Sequence, residues 1–478
     1  VPETRKSRIY AELQIRRRTI FGGHPKIRTF IRDERPALAA LGAVTAVALG
    51  ILLAVLLLGD QRRIRVVLAS PDAAVPAPVT LREITLAFDR EPDRAAVEAA
   101  LAFEPPLEGT VRWRGRTLVF VPAGPLEPGE YRIRLAPGTL GRRAEPLREP
   151  FEHRFTVREP GVAVVQVAPG RTEERLVELR AGQEPRVLAR APRIIDFAVS
   201  PDGAQVAVVT AGPDGRGSLA LVRVSDGAAA SLVFDPAINV GGVAWSPDGA
   251  TLAVVRRDAL PGGGEGVPRA WLVRLSGEFV ATLDPEGLPS LYPSWSPDGQ
   301  HLAYVSPSDA RLIVVNLATQ ERRDLGQPRG GAAAWSPDSR IVAFESVPRT
   351  AAGATPLQPV RVVSLDAAVD LVLGREGEIR SAPRFLDSET VATLRRVIGP
   401  QRTGTDLVFE SVRDGRQLRA INLAAGTDLV LHWDLAPGGR SIVYTVQTAQ
   451  QFTTITLDLE SGDRTPLAVG GDLPRWLP

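Results

Sequence analysis

Four histidines, His24, His153, His301 and His432, and no cysteine are what this 478-residue chain offers for imidazole or thiolate chemistry. Without cysteine there is no thiolate nucleophile, no disulfide framework and no sulfur-ligated metal. The histidines fall in separate segments, so no shared metal ion is expected. A Gly-x-Ser-x-Gly nucleophile elbow is absent, and no P-loop or dinucleotide fingerprint stands between a strand and a helix. The glycine run "PGGGEG" at 261–266 reads as a loop between two strands. Aspartates recur as Asp202, Asp248, Asp298 and Asp338, which invites a carboxylate or calcium reading. Each follows a Ser-Pro pair, however, and so has a turn to form. The expectation is a protein without catalytic residues, cofactor or metal.

Arginine is the other feature that could bind something. Lys6 and Lys26 are the only lysines among 57 basic residues, against 55 acidic ones. Residues 1–35 hold ten basic and four acidic side chains, a net of +6, so the remainder of a chain whose total is +2 sums to −4. A sequence pI near 9.2 therefore reflects the tail, and the large C-terminal part has no footprint for nucleic acid. Absent Met and scarce Asn suit a thermophile, and a GC-rich genome explains the arginine bias equally well.

The elements that must position these residues begin with Ala37–Gly59, an uncharged apolar run of the length that spans about 30 Å of hydrocarbon. With the more basic flank before it, 1–35 is expected as a cytoplasmic tail, 36–59 as a transmembrane signal anchor, and the rest as an ectodomain outside the cell membrane. The tail is a topology signal or a docking segment for a cytoplasmic partner. A Pro-rich linker is expected over 60–80.

Alternating apolar residues then predict strands in "LREITLAF", "GTVRWRGRTLVFVP", "YRIRLAP" and "FEHRFTV". Leu126, Pro128, Gly129 and Tyr131 have the pattern of a tyrosine corner. With Gly109, Trp113, Phe151, Phe155 and Thr156, this stretch resembles the bacterial Ig-like domain of surface-layer and envelope proteins. The resemblance implies a β-sandwich over 81–158, usually a spacer.

From residue 160 the chain repeats. "VSPDGAQVAVV", "WSPDGATLAVV", "WSPDGQHLAYV" and "WSPDSRIVAFE" place turn prolines at 201, 247, 297 and 337, with a weaker copy at 437. Steps of forty to fifty residues holding four short strands mark propeller blades. Pro presets φ for the second turn position and Gly takes the last, so Pro201-Asp202-Gly203, Pro247-Asp248-Gly249, Pro297-Asp298-Gly299 and Pro337-Asp338 are expected as structural hairpin turns. The first copy lacks an innermost strand and the chain stops on one, "LPRWLP". The two together make a seventh blade, closing the ring and removing its open edge.

These repeats resemble the TolB-type (WD40-like) β-propeller family over 160–478. The fold class expected is therefore all-β: a seven-bladed propeller closed by its C-terminal strand, an Ig-like sandwich, and one N-terminal transmembrane helix. Relatives include envelope scaffolds, peptidase lid domains and polysaccharide lyases. Three outward loops, 256–269, 346–359 and 395–405, are expected to bring Arg256, Arg257, Arg269, Arg349, Arg395, Arg396 and Arg402 to one face. Inter-blade connections add Arg193, Tyr292, Arg329 and Arg380, with His432 at the channel mouth. Such a face would suit an envelope protein or an acidic cell-wall ligand. The function expected is a membrane-anchored extracytoplasmic binding or scaffold protein. A transmembrane sensor and an enzyme acting on envelope glycans are the alternatives.

Overall fold

A computed structural model describes residue 49 and residues 63–478, apart from 148, 168–169, 171–172, 234–236, 285, 348–357, 376 and 399–401. The expected tail and membrane anchor therefore lie outside the described residues, Leu49 excepted. Among the described residues no helix is long and apolar enough to cross a membrane.

The N-terminal unit is two sheets around one core. Strands Val66–Ser70, Ile84–Phe88, Thr117–Pro122 and Gly109–Arg114 pair in that order, and Leu101–Glu104, Gly129–Leu135 and Phe151–Val157 form the second sheet. Period-2 alternation sends Ile84, Leu86 and Phe88 from one sheet against Tyr131, Ile133 and Leu135 from the other. The Tyr131 hydroxyl donates to the Glu127 carbonyl at 3.0 Å, the corner the sequence predicts.

Two features depart from expectation. The linker over 60–80 is structured: Val66–Ser70 pairs antiparallel with Ile84–Phe88, and Ala77 and Val79 are buried in the core. Its prolines suggested a tether, yet they punctuate a strand at the sheet edge, where proline is tolerated. A helix, α1 (Arg94–Ala100), also interrupts the strands. Asp93 caps it, accepting from Ala96 N at 3.2 Å, and Val97 fixes it to the core.

The rest of the chain forms seven four-stranded sheets. Blades 2 to 7 follow chain order, with innermost strands Arg193–Val199, Ile238–Trp245, Leu291–Trp295, Ala334–Trp335, Glu378–Phe385 and Leu429–Leu435. Blade 1 takes its innermost strand, Gly471–Leu477, from the chain's last residues, antiparallel to Gly161–Val167. The closure expected from the incomplete first repeat is thus present.

Each Ser-Pro-Asp-Gly segment is a turn with three internal bonds. In blade 3, Gly249 N donates to Ser246 O at 2.9 Å, Ser246 Oγ to Asp248 Oδ1 at 2.5 Å, and Ala250 N to the same carboxylate oxygen at 3.0 Å. Ser246 Oγ also accepts from Thr251 N at 2.9 Å, which locks the turn to the next strand. The same set recurs around Asp202, Asp298 and Asp338. In the last copy Ser339 replaces glycine and takes the left-handed φ of 63°; its hydroxyl accepts from Asp298 N of the neighbouring blade at 3.0 Å.

The Ser246 bond, opposed by partial burial, holds the Asp248 carboxyl below its ordinary range. A depressed carboxylate contributes stability above its unfolded pKa and loses it as pH falls through the folded value. Ser246→Ala should therefore cost about 1–2 kcal/mol at neutral pH. The deficit should shrink toward strongly acid pH, as read by thermal unfolding across a pH series.

Tryptophans tie successive blades together. Trp245 Nε1 donates to Ala198 O at 2.8 Å, Trp433 Nε1 to Ala382 O at 2.9 Å, Trp335 Nε1 to Ser294 O at 3.2 Å, and Trp476 Nε1 to Asp434 O at 3.3 Å. Each bond runs from one innermost strand to that of the preceding blade. Among the innermost-strand tryptophans Trp295 is the exception: it is partly buried and its shielded Nε1 has no partner among the described residues.

The N-terminal unit sits on the turn face of the ring. Thr80 Oγ1 donates to Pro201 O at 2.6 Å, and Arg158 donates to Pro478 O at 2.8 and 3.0 Å and to Asp202 O at 3.2 Å. Arg440 pairs with Glu127 at 2.8 Å. These contacts fall on blades 7, 1 and 2, which makes the unit a fixed cover and not a free spacer.

Candidate functional site

In a ring of antiparallel blades, the connections alternate between two faces. The Ser-Pro-Asp-Gly turns share one face with the third-to-fourth strand turns. The second-to-third strand loops and the inter-blade connections share the other. A cavity of about 1320 Å³ runs between the faces along the innermost strands. Thr80 and Arg82 of the N-terminal unit line its turn-face end, and Arg257, Leu291, Tyr292 and His432 its opposite end.

The expected arginine face is largely matched by carboxylates. Arg256 and Arg269 pair with Asp258 at 2.6 and 3.0 Å, and Arg257 reaches Glu265 at 3.8 Å. Arg329 is held by Glu345 and Gln358. Arg395 and Arg402 share Asp406, at 2.8 and 2.9 Å, and these bonds hold its carboxyl low against burial, which pushes it up. Arg396 donates to Thr405 Oγ1 at 3.1 Å and to the Asp428 carbonyl at 2.5 Å. Arg193 is exposed at the start of blade 2, and Arg349 lies outside the described residues.

Two placements correct the sequence reading. Arg380 is no surface group: its side chain is 3% exposed and is paired with Glu410 and Glu378, both at 3.1 Å. The arginines expected in loops 256–269 and 395–405 mostly belong to strands, because Thr251–Asp258 and Thr390–Ile398 run further than the turn signals suggested. Strand geometry turns Arg256 onto the rings of Trp271 and Phe279, 4.5 and 4.3 Å from their centroids. This guanidinium is packing, not display.

What the outward face does display is apolar. Leu260, Val267, Tyr292, Val347, Ile398 and Val469 are each at least 41% exposed, and all lie at loops or strand ends on this side. Toward the turn face Val280 and Leu418 are comparably exposed, at the starts of fourth strands, and no exposed large apolar residue lies in a Ser-Pro-Asp-Gly turn. Isolated exposed apolar residues are ordinary; a set concentrated on one face is not. Tyr292 is held there by a left-handed φ of 54° at a bulge in its strand.

Inside the channel the ring is uneven. Strand register aligns Arg475, Ala198, Ala244, Ser294, Ala334, Arg384 and Asp434 at one level of blades 1 to 7, opposite Ala163, Ala207, Ala253, Ala303, Ala343, Ala392 and Val443. Blades 2 to 5 therefore carry small residues there, and blades 6, 7 and 1 carry charges. His432 Nδ1 lies 2.8 Å from Asp472 Oδ1, which makes Nδ1 the protonated ring nitrogen. Burial pushes the Asp472 carboxyl up, but the imidazole bond and Arg475 hold it below the ordinary range. His301 contacts Asn316 at 3.2 Å and stacks on Trp335, and His153 Nε2 meets the Pro71 carbonyl at 2.7 Å. His24 is outside the described residues. Among the described residues no three His, Asp or Glu side chains group as metal ligands.

The charged half-ring and the apolar tips other than Tyr292 were missed in the sequence. The first had a signal: aligning the repeats on the residue two before Ser-Pro singles out Arg384, Asp434 and Arg475 against small residues elsewhere.

No family model matches the chain. A stretch of 73 residues is 40% identical to the Tol-Pal system protein TolB of Alcanivorax borkumensis, covering 14% of this chain and 17% of that protein. The chain thus matches only about a sixth of that relative's length. Among solved structures, TolB from Acinetobacter baumannii aligns with 86% of this chain and 89% of its own at 13% identity, TM-score 0.43. The periplasmic gluconolactonase PpgL of Pseudomonas aeruginosa covers 66% of this chain and 98% of its own, with 16% identity and TM-score 0.44. An oligogalacturonate lyase in complex with manganese covers 55% and 73%, with 17% identity and TM-score 0.39.

Proposed function

We propose that this protein is a membrane-anchored, extracytoplasmic scaffold whose propeller holds a protein partner of the cell envelope. The observation that carries the reading is the inequality of the two faces. One is capped over blades 7, 1 and 2 by the N-terminal unit, while the other gathers most of the propeller's exposed apolar side chains around the open end of the channel. Rigid blades presenting loop-borne apolar anchors suit protein recognition. The apolar run 37–59 supplies the anchor, and the TolB resemblance agrees with a binding role. The partner is expected to engage through apolar contact first, because the surrounding arginines are already matched by this chain's own carboxylates. The N-terminal unit, an Ig-like sandwich in this reading, holds the open face away from the membrane. The protein works by holding and not by turnover.

The test is affinity purification of crosslinked full-length protein from its native membrane. Leu260→Asp combined with Ile398→Asp should reduce capture of the specific partner about tenfold or more, the effect of losing central apolar anchors. Equal capture by this variant would remove the open face as the binding surface. A partner lost instead on Arg440→Glu, at the covered face, would place binding on the wrong side for this reading.

A further inference from the structure

We propose that Arg384 and Arg475 form a carboxylate-binding site inside the channel, seating an acid group against blades 6, 7 and 1 while the rest of the ligand lies over the small residues of blades 2 to 5. This inference rests on the reading of the propeller as a binding module and names a chemistry for its interior.

Several arginines outside the channel are closely matched by acids. Arg256, Arg269, Arg380 and Arg395 each meet a carboxylate within 3.1 Å. The two channel arginines do not. Among the described residues, Arg384 donates to the Pro383 carbonyl at 2.9 Å, and Arg475 to the Pro474 carbonyl at 3.1 Å. A guanidinium carries five N–H donors, so most on each remain uncommitted. Arg384 approaches Asp434 only to 3.7 Å.

The neighbouring carboxylates are occupied with backbone. Asp434 Oδ2 accepts from Trp476 N at 3.1 Å. Asp196 accepts from Phe197 N at 2.8 Å and Val243 N at 3.1 Å. Glu345 accepts from Ala382 N at 2.9 Å and also pairs with Arg329. These acids hold the innermost strands of adjacent blades together; Asp434 Oδ1 pairs loosely with Arg384, and most donors on both guanidinium groups have no acceptor among the described residues.

The guanidinium groups also feel one another. Burial pushes the Arg384 pKa down, Asp434 opposes this by its charge and a hydrogen bond, Arg475 adds to the depression, and Glu345 opposes it. Two partly exposed cations, on either side of Asp434 in a walled channel, keep N–H donors that an entering anion can take. Planar guanidinium forks match a carboxylate in two-point geometry. Space follows the same division: Ala198, Ala244 and Ser294 line the cavity opposite the charges, with Gly241, Gly242 and Ala332 beside them. A ligand body fits where no side chain projects.

A carboxylate reaches such a site as a free organic acid or as the C-terminus of a chain. The experiment uses full-length protein in detergent and isothermal titration calorimetry with two probes. One is citrate; the other is a short apolar peptide supplied with a free or an amidated C-terminus. Binding of either carboxylate probe at millimolar concentration, lost at least tenfold in Arg384→Gln and in Arg475→Gln and abolished in the double variant, is the expected result. Arg257→Gln, at the outer mouth, should leave affinity within about twofold. Peptide binding that needs the free carboxylate identifies a chain terminus as the source, and citrate binding without it identifies a free acid.

Because each Gln variant removes only a loose ion pair at a partly exposed position, thermal midpoints should change little, and Arg384→Lys should retain part of the affinity. Absence of binding by every probe, or binding unchanged in the double variant, would overturn the proposal. The scaffold reading fails separately. Partner capture that survives in the double variant without carboxylate binding sinks only this inference, and carboxylate binding in a protein that captures no partner sinks only the other.

Discussion

A chain ending at Gly470 is expected to have no cooperatively folded propeller. Residues 471–477 supply the whole innermost strand of blade 1, and Leu477 is fully buried in the cluster shared with blade 2. Their loss uncovers one edge of Gly161–Val167, removes the Trp476 bond to blade 7, and frees Asp434 from Trp476 N. Exposing one strand's ladder and its apolar contacts costs several kcal/mol, against a total stability of about 5–15 kcal/mol for a typical domain. Calorimetry should show a broad, low transition in place of a single peak, and blade 1 amides should exchange freely. Adding residues 471–478 back as a peptide should restore protection. Trp476→Phe keeps the strand and should cost only about 0.5–1.5 kcal/mol. A truncated chain that melts like the intact one would show that the ring does not depend on its seam.

The second large effect is expected from Arg380→Met. This change leaves Glu410, 5% exposed, without its cation, and Glu378 beside it. Breaking a buried pair from one side costs about 3–5 kcal/mol. Burial already raises the Glu410 carboxyl above its ordinary range, with Arg380 opposing that rise. Removing Arg380 raises it further.

A folded-state pKa above the unfolded one favours the folded protein below the unfolded pKa, and the advantage disappears as pH climbs through the folded value. Arg380→Met should therefore be least stable at neutral pH and recover part of its deficit toward acid, the same direction as Ser246→Ala but from a larger deficit. Pairing it with Glu410→Leu should recover most of the loss at every pH. Chemical denaturation of the single and double variants at two pH values checks both statements. A single variant equally unstable at both would mean that the deficit is packing, not charge.

Legibility in the sequence followed the range of the interactions. The Ser-Pro-Asp-Gly turns are local, so their spacing revealed the blades, and the missing strand of the first repeat foretold the seam. The tyrosine corner is likewise a contact between residues four apart. Arginine partners are not local. Arg380 finds Glu410 thirty residues on, and Arg395 finds Asp406 across a strand pair whose register cannot be read without the sheet. The loop-borne arginines consequently looked free when they were matched.

Val66–Ser70 was obscured by the prolines that follow it, although its own residues are good strand formers. The helix after Asp93 was announced by its cap and by "RAAVEAA", but two turns carry little periodicity.

The uneven level inside the channel has a consequence for rotation. Seven like blades would offer any axial ligand seven equivalent settings, a degeneracy that loosens the orientation of whatever the ligand is attached to. Charges at this level confined to blades 6, 7 and 1 leave two settings in which an acid group meets a cation, on blades 6 and 1, and five in which it meets a small or acidic residue. The pseudosymmetric ring is thereby uneven around its axis: an acid ligand seated as proposed would have its azimuth restricted to the sector of blades 6 to 1.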